Sequence, residues 1–98
     1  MPEPVRTLFW NSRFDRALNR HIGQDKKRLR CIFETLLQMT ENPRQPALET
    51  HSLRGASKGL LSCSCGYDCR IIFRIELGKT PNSESIILIN IGTHDEVY

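Results

Sequence analysis

The chain has 98 residues, with 14 Lys and Arg against 11 Asp and Glu, 39% hydrophobic residues and four cysteines. That length suits one domain spanning 1–98, with a core adequate but small. No apolar run approaches a membrane span and the Met1-Pro2-Glu3-Pro4 start has no secretory pattern, so a soluble cytoplasmic protein without membrane contact is expected.

The charge is unevenly spread. Residues 1–58 carry 11 Lys and Arg against 6 Asp and Glu, whereas residues 59–98 carry 3 against 5. The basic part concentrates between positions 13 and 30, opposed there by Asp15 and Asp25 alone. Lys26, Lys27 and Arg28 open a helical pattern, where the macrodipole disfavours cations by roughly 0.3–1 kcal/mol. Keeping them there is consistent with phosphate as a partner, although a solvated basic face is the commoner reason for such a pattern.

In chain order, residues 5–10 read as a short strand. Ser12 with Asp15 three residues on has the pattern of a capping box opening a helix. Phe14, Ala17, Leu18 and Ile22 form its apolar stripe, with His21 beside the stripe as a structural residue. Gly23 breaks that helix, and a second is predicted over 25–41. Its buried face is predicted from Leu29, Ile32, Phe33, Leu36 and Thr40, and Asn42-Pro43 stops it. A long connection follows, punctuated by Pro43, Pro46, Gly55 and Gly59, and delivers His51. Strands are predicted over 60–65, 69–77 and 85–91, with turns at Gly66-Tyr67 and over 78–83. The fold class is α+β: an N-terminal strand, an antiparallel two-helix hairpin on one face, and a three-strand antiparallel meander completing one sheet.

Cys63, Cys65 and Cys69 crowd one short stretch, which reads as reduced thiols rather than a disulfide scaffold. Cys63 and Cys65 share strand parity with Leu61 and suit small core positions. C-x-x-C spacing is absent and no metal site or cofactor is expected.

Strand parity sorts the remaining side chains. Ile71, Phe73, Ile75 and Leu77 share one face, expected against the helices, and Asp68, Arg70, Ile72, Arg74 and Glu76 share the other. In the last strand, Ile86, Leu88, Asn90 and Gly92 alternate with Ile87, Ile89 and Ile91; both sets are apolar, as in a central strand. The polar face can then present Arg70 between the loop holding His51 and the end holding His94. The last seven residues, Gly92-Thr93-His94-Asp95-Glu96-Val97-Tyr98, leave the strand and take a histidine, two acids and a tyrosine into solvent. The alternative is that Val97 and Tyr98 simply cover the core edge.

Cutting RNA without a metal needs a base for the 2′-hydroxyl proton, a cation for the phosphate and an acid for the 5′-oxygen. Imidazoles suit the proton work near neutral pH, and a guanidinium suits the phosphate. The order of elements resembles the RelE/ParE toxin superfamily of toxin–antitoxin systems. So do His51-Ser52-Leu53-Arg54-Gly55, Tyr67-Asp68-Cys69-Arg70-Ile71-Ile72-Phe73 and Ile91-Gly92-Thr93-His94-Asp95-Glu96-Val97-Tyr98. The histidine before Leu-x-Gly and the terminal Gly-Thr-His are most similar to its YafQ-like branch.

The resemblance implies an endoribonuclease that cleaves mRNA in the 30S A site of the ribosome and is silenced by a cognate antitoxin. It would touch DNA only through that antitoxin. It assigns catalytic positions to His51, Asp68, Arg70, His94 and Tyr98, with His94 as a general acid and Tyr98 as a stacking or proton-shuttling ring. Lys26, Lys27, Arg28, Arg30, Arg54, Lys58 and Arg74 are the expected RNA-binding cations. The chain departs from the YafQ-like pattern at Ser64, where that branch has a histidine, and at Cys69, where it has a tryptophan. The rival readings are a ParE-like gyrase poison and a catalytically weak antitoxin-binding module.

Overall fold

The computed structural model describes residues 5–55, 59–80 and 83–98. Its elements in chain order are β1 (Val5–Phe9), α1 (Ser12–Ile22), α2 (Lys26–Glu41), a 3-10 turn (Pro46–Leu48), β2 (His51–Ser52), β3 (Leu61–Ser64), β4 (Arg70–Leu77), β5 (Ser83–Gly92) and α3 (His94–Val97). The strands form one mixed sheet in the order β1-β5-β4-β3-β2. β1 pairs parallel to β5 and every other pair is antiparallel. The parallel pair needs a crossover, which the two helices supply. β1 stops at the level of Ile87, and α1 packs against β5.

Both long helices begin on an acceptor side chain. Asn11, not Ser12, caps α1: its side chain accepts the Phe14 N–H at 3.1 Å, and Ser12 is already helical. Asp25 caps α2 by accepting the Arg28 N–H at 3.1 Å. The structure also corrects the buried face of α2. Ile32, Thr35 and Met39 point inward, whereas Leu29 and Phe33 are 49% and 60% exposed. This helix carries two apolar stripes, Leu29-Phe33-Leu37 and Ile32-Leu36-Met39, and only one can face the sheet. Thr35 is tolerated inside because its hydroxyl donates to the Cys31 carbonyl at 2.8 Å.

A β-bulge changes the parity of β5. Ile71 pairs with Ile91 and Ile72 with Asn90, but Phe73 then pairs with Leu88, leaving Ile89 unopposed. Simple alternation set Ile91 apart from Ile86 and Leu88; the bulge turns it inward to join them in the core. Asn90 and Gly92 move to the opposite face, in register with Ile72 and Arg70. Phe14, Ile32, Met39, Ile71 and Phe73 close the core between helices and sheet. Leu77, expected inside, lies at the strand end and is exposed.

The cysteine expectation is corrected as well. Cys65 and Cys69 form a disulfide, with Cα atoms 5.0 Å apart, inside the range such a bond requires. Positive φ angles at Gly66 (122°) and Asp68 (47°) close the turn between β3 and β4, and the Cys65 N–H donates to the Cys69 carbonyl at 3.0 Å. Crowding in the sequence therefore marks a tight turn. Cys63 is a buried thiol, as its parity implies, and Cys31 is an exposed one.

Candidate active site

The turn that closes β3 onto β4 carries Asp68 in the left-handed region, which Asp and Asn tolerate better than most residues. From there its carboxylate accepts the backbone N–H of His94 at 3.1 Å. The chain end is thereby folded into α3, with the side chains of His94, Asp95, Glu96 and Tyr98 exposed as expected. Thr93 and Glu96 complete a capping box: the Thr93 hydroxyl accepts the Glu96 N–H at 3.3 Å, and Glu96 accepts the Thr93 N–H at 2.8 Å. The helix stands the His94 and Tyr98 rings edge to face, their centroids 4.6 Å apart.

Tyr98 reaches back across the sheet. Its hydroxyl meets the hydroxyl of Ser62, whose side chain is wholly buried. Ser62 is in register with His51 on one side and with Ile72 on the other, so these residues share one face of the sheet. His51 thus stands on the short edge strand β2 rather than in a loop. Its Nδ1 lies 3.2 Å from the Glu49 carbonyl. A carbonyl only accepts, so Nδ1 is the donor there, and in the neutral imidazole Nε2 is the nitrogen with the lone pair.

Arg70 opens β4 on the same face, in register with Ser64 and Gly92. Strand spacing puts its Cα about 12 Å from that of His51, a gap that two long side chains and a phosphate can fill. Its side chain is half-buried and has no hydrogen-bond or ion-pair partner among the described residues. The charge is felt nevertheless: burial pushes the Cys63 thiol up to about 12, and Arg70 opposes that rise.

His21, taken as structural from the sequence, is indeed buried, but it stands at this same end of the fold. Burial holds its pKa below the ordinary value and the Arg28 charge adds to that, while Glu96 and Asp68 act the other way. Its Nε2 has no hydrogen-bond partner among the described residues. Arg28, expected to hold RNA, donates instead to the His21 carbonyl at 2.9 Å and joins α2 to the end of α1. Glu96 is kept ionised by its bonds from Thr93, so its pKa lies below the usual carboxylate value.

The structure therefore brings Asp68, His94, Tyr98 and His51 into one chain of contacts and register through Ser62, with Arg70 on the same face. Ser62 was missed in the sequence; its parity with Ser64, opposite Arg70, was the available signal. Arg74 lies on this face and pairs with Glu76 at 2.9 Å. Lys26, Lys27, Arg30 and Arg54 are exposed and form no ion pair among the described residues. Lys58 lies outside the described residues. Chemically, the cluster offers an imidazole lone pair, a second imidazole beside a carboxylate, a phenol and a guanidinium. Such a set moves protons and holds an anion.

No protein-family model matches the chain, and no curated protein does. Solved structures do match. The YoeB/ParE toxin from Agrobacterium tumefaciens superposes with a TM-score of 0.73 at 16% identity, covering 90% of this chain and 98% of its own. YafQ from E. coli gives 0.63 at 19% identity, covering 95% and 98%. The E. coli DinJ–YafQ complex gives 0.60 at 19% identity, with coverage of 95% and 98%. At these identities the likeness is one of architecture: this chain has the RelE/ParE-type toxin fold.

Proposed function

We propose that this protein is the toxin of a toxin–antitoxin pair: a metal-independent endoribonuclease that cleaves mRNA on the ribosome, in the cytoplasm. The observation that carries this reading is the Arg70 guanidinium, without a partner among the described residues, on the sheet face that holds His51 and that the Tyr98 hydroxyl reaches, with His94 edge to face against Tyr98. The fold shared with YoeB/ParE and YafQ supports the toxin role, and the solved DinJ–YafQ complex supports a protein antitoxin as partner.

The hydrogen bonds divide the proton work. His51, with Nδ1 held as a donor, presents Nε2 to take the proton of a 2′-hydroxyl. That oxygen attacks the adjacent phosphorus, and Arg70 balances the charge that grows on the phosphate oxygens. His94, whose Nδ1 lies 3.4 Å from the Asp95 carboxylate, is the imidazole placed to protonate the departing 5′-oxygen. The bond to that oxygen breaks and a 2′,3′-cyclic phosphate remains. Tyr98 aligns His94 by its ring and the substrate by stacking. Asp68 positions His94 through the backbone.

The test is expression in growing cells with primer-extension mapping of translated messages. Cuts within coding regions are expected. His51→Gln and His94→Gln should each slow cleavage by roughly 10²–10⁴, and the double variant by less than the product of the two. Undiminished toxicity in the double variant, with stalled replication and intact messages, would replace the nuclease with a gyrase poison.

A further inference from the structure

The same sheet face carries a second feature away from the catalytic cluster. Phe9 of β1, Ile87 of β5 and Arg74 of β4 are in register and form a row across three strands. With Trp10, Arg13 and Ile89 they line a cleft of about 330 Å³, within the size range of small-ligand sites. Phe9 and Trp10 are 50% and 52% exposed, although each would ordinarily be costly to leave in water. Arg13 has no ion-pair partner among the described residues. Arg74 is held by Glu76 in an exposed pair, which water screens and a phosphate readily replaces.

We infer that this cleft is a stacking subsite for a base of single-stranded RNA lying a few nucleotides from the scissile phosphate. Two exposed rings between two arginines match what such strands require: π-faces for the bases and cations for the backbone. A protein segment would be served by the apolar floor alone, and the flanking positive charge favours the nucleic acid. The distance fits as well. Arg74 is four residues beyond Arg70 on the same face of β4, about 13 Å along the strand. RNA covers that in roughly four stacked steps, or fewer when splayed. The inference rests on the ribonuclease reading and adds a place where a flanking base, rather than the cleaved one, is selected.

Trp10 is the chain's one tryptophan, so its emission reports directly on the cleft. The full chain is titrated with an uncleavable, end-labelled 2′-O-methyl RNA of about six nucleotides, following both label anisotropy and Trp10 emission. Binding with quenched Trp10 emission is expected. An abasic strand of the same length should bind more weakly and leave the emission unchanged. Phe9→Ala should weaken the RNA by roughly 5–150-fold, the contribution of one stacked base. The unmodified chain's emission decides the matter even if that variant folds poorly. Anisotropy that rises while Trp10 emission stays constant would overturn the subsite and leave the nuclease standing. Equal quenching by the abasic strand would also overturn it, since charge alone would then explain binding. A cleft that answers only to a partner protein would make it a protein-docking surface. No RNA binding at all would remove the subsite, and primer-extension mapping in cells would then decide the ribonuclease reading separately.

Discussion

The carboxylate of Asp68 receives the backbone N–H of His94 at 3.1 Å, across 26 positions of sequence. This one bond ties the β3–β4 turn to the start of α3, and so sets where the His94 imidazole stands. Asp68→Ala removes the acceptor and puts Ala at φ 47°, a conformation it adopts poorly. The expected cost is about 0.5–2 kcal/mol, concentrated in α3. Amide exchange of residues 94–98 should accelerate more than that of β4. Asp68→Asn keeps both the acceptor and the tolerance for that φ, and should behave almost as the parent. Equal exchange in the two variants would show that the bond does not hold the helix.

Ser62 and Tyr98 form the other long-range tie, 36 positions apart. Ser62→Ala and Tyr98→Phe each delete one hydroxyl of the pair and should each cost about 0.5–1.5 kcal/mol. In a double-mutant cycle by urea unfolding the two effects should fall well short of adding, because they break the same bond. Tyr98→Ala also removes the ring beside His94 and should lower cleavage further than Tyr98→Phe.

The proposed cleavage gives Arg70 a role through charge rather than folding, since its guanidinium has no ion pair to lose among the described residues. Arg70→Ala should leave the melting temperature nearly unchanged while cleavage falls about 10²–10³-fold, as for one preorganised donor. A large drop in melting temperature would make Arg70 a structural residue.

His21 makes stability depend on pH. Burial, with Arg28 adding to it, places its folded pKa below the ordinary 6.5. The unfolded chain therefore takes up the proton first, and stability falls as the pH drops through that value, levelling off below the folded pKa. Urea midpoints measured from about pH 8 to about pH 5 should show this slope, and His21→Leu should flatten it. The same variant removes a buried nitrogen that has no partner among the described residues, so stability at neutral pH should hold or rise. A slope that persists in His21→Leu would place its origin elsewhere.

Reduction of Cys65–Cys69 opens a loop only four positions long. The chain-entropy account assigns such a loop about 2 kcal/mol. Dithiothreitol should lower the melting temperature of the parent and leave a Cys65→Ser/Cys69→Ser variant unaffected. Because the turn also presents Asp68, His94 amide exchange should quicken on reduction.

The element order was legible because each element is written in local periodicity and punctuation: Gly23 and Asn42-Pro43 end the helices where the structure ends them. The placement of Arg70 opposite the helices followed from parity within one regular strand. Parity failed on β5, since a bulge at Ile89 is a property of two strands in register, and no single strand encodes it. The α2 face failed for a similar reason. Leu29 and Phe33 are as apolar as Ile32 and Met39, and the sheet chooses between the stripes.

What the sequence by itself determined was the α+β order, the basic first half, the apolar central strand and the residue types able to move protons and hold phosphate. Those depend on side-chain chemistry and on neighbours a few positions away. Only the tertiary structure decided that the last residues fold back as α3, that Ser62 is the partner of Tyr98, that His21 stands near Asp68 and Glu96, and that Phe9 and Trp10 open a cleft beside Arg74. The reason is geometric: each joins residues far apart in the chain, and strand register, one bulge and a tight turn set their distances.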